Sequence, residues 1–259
     1  MLLRRLYRTE CICINLDYYM HMHLVIPPQK PKPYFKNQAL LQEPNAALTR
    51  RKLDMKLYYS PGACSLSPHI ALLEAGLPYD LVKVDLRAKK LENGDDFWAV
   101  NPKGQVPALA LESGELVTEG PIIIQMIADR VSAKNLAPAR DSAERYKLLE
   151  WLNYITTELH KNLGPMFSPV LKDDAKAFFK DRAMGKFKYI ESQLAGRDYL
   201  MGKQFTVADG YLFTMLMWAT ERLGFDLSDM PNLTAYKARV AARPKVQEAL
   251  AKEGLLKAA

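Results

Sequence analysis

The chain has 259 residues, 49% apolar and 25% charged, the balance of a globular protein with room for a sizeable core. No apolar run is long enough to cross a bilayer, so no membrane partner is expected. The formal charge of +7 suggests an acidic partner, yet residues 1–54 hold 9 Lys and Arg against 4 Asp and Glu, which leaves only +2 on the other 205 residues. A nucleic-acid reader concentrates its basic charge on a folded face, so nucleic acid is discounted as a partner.

Residues 1–54 carry 5 of the 16 prolines and no sustained helical or alternating pattern. Three readings fit them: translation from a wrongly assigned start, a disordered arm, or a targeting peptide. The first is favoured, because no packing role is visible and the Arg-rich opening is followed by Glu10 and Asp17 without serine. Cys11 and Cys13 with His21 and His23 have the wrong spacing and no scaffold for zinc, so no metal site is expected. The three cysteines, with Cys64, form no disulfide framework. A reducing, cytoplasmic location follows, and it leaves Cys64 a free thiol.

From Met55 the pattern becomes legible. Leu57-Tyr58-Tyr59 is a strand, Pro61-Gly62 a turn, and Ser65 to Ala75 a helix stopped by Gly76. Tyr79 to Val84 is a second strand, followed by a polar loop through Asn93-Gly94-Asp95. Ala108 to Leu111 and Leu116 to Thr118 form a hairpin, and a helix runs from Glu119 to Arg130. One β-α-β unit, a hairpin and a helix make an α/β thioredoxin-like domain over 55–134. A linker with Pro138 follows. Over 142–259 the pattern is all-helical: Ala143 to Leu163, Asp173 to Leu194, Thr206 to Leu223, and two shorter helices opened by Pro231 and Pro244.

Several residues carry chemistry. Cys64 precedes the first helix, where unpaired N–H groups and the helix dipole favour thiolate; a small packed residue is the plainer alternative. Ser67 stands where a thioredoxin would have its second cysteine, so dithiol chemistry is excluded. Val106-Pro107 leads into a strand; an outward Val106 backbone would pair with an extended peptide, whereas an ordinary strand-entry proline would not. Thr118-Glu119-Gly120-Pro121 opens a helix, where Glu119 either receives an ammonium group or caps the helix. Asn153 and His160 are seven apart and share a helical face with Thr157, beside Lys161. Thr206 and Asp209 read as a structural capping box.

In this order and spacing the residues resemble the cytosolic glutathione transferases, specifically the bacterial beta class. The resemblance rests on Met55-Lys-Leu-Tyr-Tyr-Ser-Pro-Gly-Ala-Cys-Ser-Leu66, Val100-Asn-Pro-Lys-Gly-Gln-Val-Pro-Ala-Leu109, Thr118-Glu-Gly120, Trp151-Leu-Asn-Tyr-Ile155, Glu158-Leu-His-Lys161 and Phe205-Thr-Val-Ala-Asp209. It implies glutathione as co-substrate, no permanently bound cofactor, and a homodimer. It implies that Ala63 binds glutathione and that Cys64 sits near the glutathione sulfur, able to form a mixed disulfide with it. Val106 would pair with the cysteinyl backbone, Glu119 and Gly120 would hold the γ-glutamyl end, and Lys89 the glycyl carboxylate. Asn153, His160 and Lys161 would face the thiol from the helical domain, with Cys64 and His160 as catalytic residues. The family often has serine at the position of Gly120. Tyr59 lies where other classes use a tyrosine to activate the thiol, but core packing is at least as good an account of it. The reaction implied is attack of glutathione thiolate on a small electrophile, in a pocket lined by residues such as Phe167 and Trp218. A glutathione-dependent reductase, dehalogenase or peroxidase, and a non-enzymatic ligand-binding protein, are the alternatives.

Overall fold

The computed structural model describes residues 54–256. The expectations placed on residues 1–53, including Cys11, Cys13, His21 and His23, lie outside the described residues.

Strand β1 (Met55–Tyr59) alternates buried and half-buried positions, so Met55, Leu57 and Tyr59 enter the core. It pairs in parallel with β2 (Tyr79–Asp85), Met55 opposite Tyr79, and antiparallel with β4 (Ala108–Ala110), Leu57 opposite Leu109. β3 (Lys90–Leu91) extends the sheet beyond β2, and β5 (Leu116–Thr118) closes the other edge on β4. The order is β3-β2-β1-β4-β5, a mixed sheet of the thioredoxin-like kind.

The parallel β1–β2 pair requires a crossover, supplied by α1 (Leu66–Ala75). Gly76 ends this helix with φ 69°, a left-handed conformation in which its N–H reaches the Leu72 and Leu73 carbonyls. Nearly every α1 residue is buried, because the helix is enclosed by α3 (Gly120–Arg130), α7 (Val207–Met217) and α9 (Pro244–Lys252). A helix apolar on all sides must be covered on all sides, and here the helical half covers what the sheet does not. The segment read as a polar loop holds two short elements, β3 and the one-turn α2 (Phe97–Val100), in which the Asp96 carboxylate accepts the Trp98 N–H at 3.0 Å. Elements this short have no periodicity to read.

The helical half begins with α4 (Ala143–Tyr154), whose N-cap Ser142 accepts the Arg145 N–H at 3.2 Å. The run expected to be one straight helix to Leu163 contains a π-helical turn, Ile155–His160, before α5 (Lys161–Leu163). α6 (Asp173–Gln193) follows, and α8 (Pro231–Ala241) and α9 start at their prolines as expected. The chain between Met217 and Leu223 is again a π-turn, Trp218–Arg222.

The capping box before α7 forms as the sequence requires. Asp209 Oδ2 accepts the Thr206 N–H at 2.7 Å, while Oδ1 accepts the Leu200 N–H at 2.9 Å and the Tyr236 hydroxyl at 2.9 Å. Buried residues of both halves, such as Leu57, Ile70 and Ile123 from one and Leu159, Leu212 and Phe213 from the other, form one continuous core. Among the described residues no helix is long and apolar enough to cross a membrane.

Candidate active site

Between β1 and α1 the chain turns through Pro61 and Gly62. Gly62 has φ 68°, a left-handed conformation that favours glycine, and a Cβ there would lie 2.6 Å from an Arg222 guanidinium nitrogen, which would have to move. Its N–H donates to Glu253 Oε2 at 2.9 Å and its carbonyl accepts Trp218 Nε1–H at 2.8 Å. Two elements of the helical half therefore fix the loop that presents Cys64.

Cys64 is partly buried, and its Sγ–H donates to the Val106 carbonyl at 3.2 Å. The sequence led us to expect a favoured thiolate, and this is corrected. Burial pushes the Cys64 thiol up to about 12, although the backbone N–H groups of Cys64 and Ser65 and the charge on Lys161 act the other way. The helix N-terminus does help the anion, as anticipated, but desolvation outweighs it. Ser67 is buried and cannot resolve a disulfide at Cys64.

The Val106–Pro107 peptide is cis. The Asn101 amide braces the loop before it by donating to the Gln105 carbonyl at 2.7 Å. Lys89 has φ 57°; its Nζ donates to the Gly104 carbonyl at 2.7 Å and lies over the Trp98 ring at 5.7 Å. Glu119 has φ 68°, a strained conformation for a residue with a Cβ, and strain of this kind clusters at functional sites. The alternative reading of Glu119 as a capping acid is corrected, because its carboxylate makes no cap bond. It is paired instead with Lys103 Nζ at 2.6 Å, which also donates to Thr118 Oγ1 at 2.9 Å.

From the helical half, His160 Nδ1 lies 2.7 Å from the Tyr211 hydroxyl, and its ring stands edge-on to Trp218 at 5.0 Å between centroids. Burial, reinforced by the positive charge on Lys161, pushes the His160 imidazole down to about 4, so it is neutral at pH 7. Phe167 stacks edge-to-face on Trp218 at 5.0 Å.

These groups enclose one cleft of about 590 Å³. Of the residues singled out from sequence, Ala63, Cys64, Lys89, Val106, Glu119, Gly120, His160, Lys161, Phe167 and Trp218 line it. Asn153 does not; it is exposed, and its carbonyl accepts the Thr157 hydroxyl at 3.1 Å. The π-turn breaks the α-helical phase that would align Asn153 and Thr157 with His160, and it is Thr156 that joins His160 in the cleft. Tyr59 is buried against His69 at 6.3 Å and is absent from the lining, which agrees with core packing. Lys103, Thr156, Tyr211 and Arg222 line the cleft and were not singled out from sequence. Lys103 had a signal, a cation three residues before Val106; Tyr211 is concealed within an apolar helix.

Comparison with known proteins agrees with this geometry. The family model described as the glutathione S-transferase N-terminal domain matches residues 62–130, and that described as the C-terminal domain matches 157–253. Glutathione S-transferase GstA of Escherichia coli O157:H7 is 48% identical over 201 residues, covering 78% of this chain and 100% of its own. A sphingomonad glutathione S-transferase solved in complex with glutathione superposes with a TM-score of 0.74 at 48% identity, covering 78% of this chain and 100% of that one. The bacterial beta class enzyme of Sphingomonas chungbukensis superposes with a TM-score of 0.75 at 47% identity, with the same coverage. Matched in both halves and along the full length of its relatives, the chain belongs to the glutathione S-transferases, among those of the bacterial beta class.

Proposed function

We propose that the cleft binds glutathione as co-substrate and adds its thiolate to small electrophiles, with residues 55–134 as the glutathione half and 142–259 as the substrate half. The observation that carries this reading is the single cleft that joins Lys89, Val106 and Glu119 of one half to His160 and Lys161 of the other around Cys64. Glutathione is a small peptide with two carboxylates, one ammonium and a thiol. Lys89 suits the glycyl carboxylate and Val106 the cysteinyl backbone. Glu119, Gly120 and the start of α3 suit the γ-glutamyl end. The glutathione-bound state of the sphingomonad relative supports the assignment.

The role of each group in the chemistry follows from its protonation state. A Cys64 that keeps its proton is a donor. When a bound cysteinyl N–H takes the Val106 carbonyl, the Cys64 S–H turns to the glutathione sulfur and stabilises its anion. Lys161 adds positive charge at the same place. His160 is neutral, and its Nδ1 is paired with the Tyr211 hydroxyl at 2.7 Å. In the tautomer whose Nδ1–H donates to that hydroxyl, Nε2 is the acceptor for the thiol proton. Catalysis then consists of positioning and of lowering the thiol pKa.

The free Cys64 supports a weaker thiol-exchange activity. Its sulfur would attack oxidised glutathione, forming one mixed disulfide and releasing one reduced glutathione. A homodimer is part of the proposal; Ile122, Tyr146 and Leu149 present exposed apolar surface on α3 and α4 that suits a two-fold contact. Turnover of chlorodinitrobenzene with glutathione tests the transferase reading, and retention on immobilised glutathione without turnover of any electrophile would overturn it in favour of a binding protein. Light scattering that gives a monomer mass at micromolar concentration would overturn the dimer.

A further inference from the structure

The charged residues lining the cleft do not balance against glutathione alone. Lys89, Lys103, Lys161 and Arg222 supply four positive charges and Glu119 one negative charge. Glutathione with an ionised thiol carries two carboxylates, one thiolate and one ammonium, a net of two negative charges. One cation is left over.

Its identity follows from position. Lys89, Lys103 and Glu119 stand on the sheet-bearing half, where the proposed function places the two ends of glutathione. Lys161 follows His160 in the chain and lines the cleft with Cys64, so it belongs to the thiol. Arg222 remains. It closes the π-turn that begins at Trp218, and its guanidinium lies over Gly62 at the rim of the cleft. Among the described residues it has no hydrogen-bond or ion-pair partner. A guanidinium that meets the same glycine as the Trp218 indole, and has no partner among those residues, is matched to a ligand with an acid on a flat apolar body. The wall for that body is the Phe167–Trp218 pair, four residues away along the same chain segment in the case of Trp218.

We infer that Arg222 is a specificity-determining residue, and that the preferred electrophile is an aromatic or similarly flat molecule carrying a carboxylate or sulfonate. The inference rests on the transferase reading above. In the reaction the glutathione sulfur forms a bond to the ring carbon that bears the leaving group. The leaving group departs with its bonding pair, as chloride in the probes below, and the thiol proton passes to solvent. Arg222 takes no part in these bonds; it holds the acid at the far end of the ring, so its effect falls on KM for the electrophile.

The experiment compares a chloronitrobenzoate with the matching neutral chloronitrobenzamide, each with saturating glutathione and normalised to its uncatalysed rate. Wild type is expected to favour the acid. Arg222→Met should raise KM for the acid about tenfold, leave kcat within about twofold, and leave the amide unchanged. Arg222→Lys should restore part of the preference, and added salt should weaken it. Equal effects on acid and amide, or a raised KM for glutathione with both, would overturn the inference, since Arg222 would then serve the loop or the tripeptide. Absence of turnover for both probes would count against the transferase reading instead. Calorimetric binding of the two finished glutathione conjugates reads the same discrimination without turnover, and equal affinities there would also overturn the assignment of Arg222.

Discussion

Glu253 and Gly62 are 191 residues apart, and the Glu253 carboxylate accepts the Gly62 N–H at 2.9 Å. Its other oxygen lies 2.7 Å from His69 Nδ1, with both side chains fully buried. The last turn of the described chain therefore clamps both the Cys64 loop and α1. Glu253→Ala leaves the half-buried Gly62 N–H and a buried imidazole nitrogen unpaired, and should cost about 2–4 kcal/mol of stability. Glu253→Gln keeps one acceptor and should cost less. Urea unfolding checks both, and a neutral Glu253→Ala would mean that water satisfies these groups.

The His160 imidazole is held neutral in the fold, down to about 4 from an ordinary value of 6.5, by burial and by Lys161. Between these values the unfolded chain binds the extra proton and the folded chain does not. Stability from this group is thus fully present above 6.5 and is lost as pH falls toward 4. The limit is about 3 kcal/mol from a shift of this size. His160→Gln should show a flatter stability profile over that window, measured by urea midpoints. Tyr211→Phe removes the partner of Nδ1, and should lower kcat for conjugation about threefold to tenfold with little change in KM for glutathione. A parallel profile for His160→Gln would show that the wild-type imidazole is not held neutral.

How far the sequence disclosed this site depends on the range of each interaction. The Thr206–Asp209 box was legible because its donors and acceptors are three residues apart. So were the starts of α8 and α9, because proline fits a first turn. The Glu253–Gly62 contact was not legible, since no local pattern encodes a bond across 191 residues. The protonation of Cys64 is hard to read for a related reason: the helix N-terminus is local, whereas burial, which outweighs it, comes from residues distant in the chain such as Val106. Asn153 was placed in the site on straight-helix geometry, and the π-turn that displaces it has no sequence signature comparable to a proline. The strands and helices of the sheet-bearing half were recoverable, apart from β3 and α2.

Gly120 offers a test of the γ-glutamyl site. A Cβ there would meet only the Pro107 side chain at 3.7 Å, an ordinary van der Waals distance. A serine therefore fits without displacing its neighbours, and its hydroxyl adds a donor where α3 begins. Gly120→Ser should lower KM for glutathione about threefold to tenfold and leave KM for the electrophile unchanged. Calorimetric titration with glutathione checks the binding directly. A higher KM for glutathione would place the γ-glutamyl carboxylate elsewhere.

The last prediction follows from the state of the Cys64 sulfur. Only thiolate attacks a disulfide, and burial holds this thiol up to about 12, so the reactive fraction at pH 7 is small. Incubation with oxidised glutathione should still yield a mixed disulfide, because the proposed binding mode would place glutathione beside Cys64 and Ser67 cannot resolve the product. Its formation should be slow and should accelerate about tenfold per pH unit between neutral and mildly alkaline conditions, following the thiolate fraction. Cys64→Ala should abolish the adduct in intact mass spectrometry. The same change should damage thiol exchange more than transfer to an aryl halide. In transfer the nucleophile is glutathione, and under the proposed binding mode Cys64 would contribute one hydrogen bond to its sulfur, worth about tenfold. Cys64→Ser, which keeps a donor, should retain more transfer than Cys64→Ala while forming no adduct. Adduct formation that is fast and independent of pH would show that glutathione reverses the protonation of Cys64. Equal loss of both activities in Cys64→Ala would make the side chain a general requirement for holding glutathione.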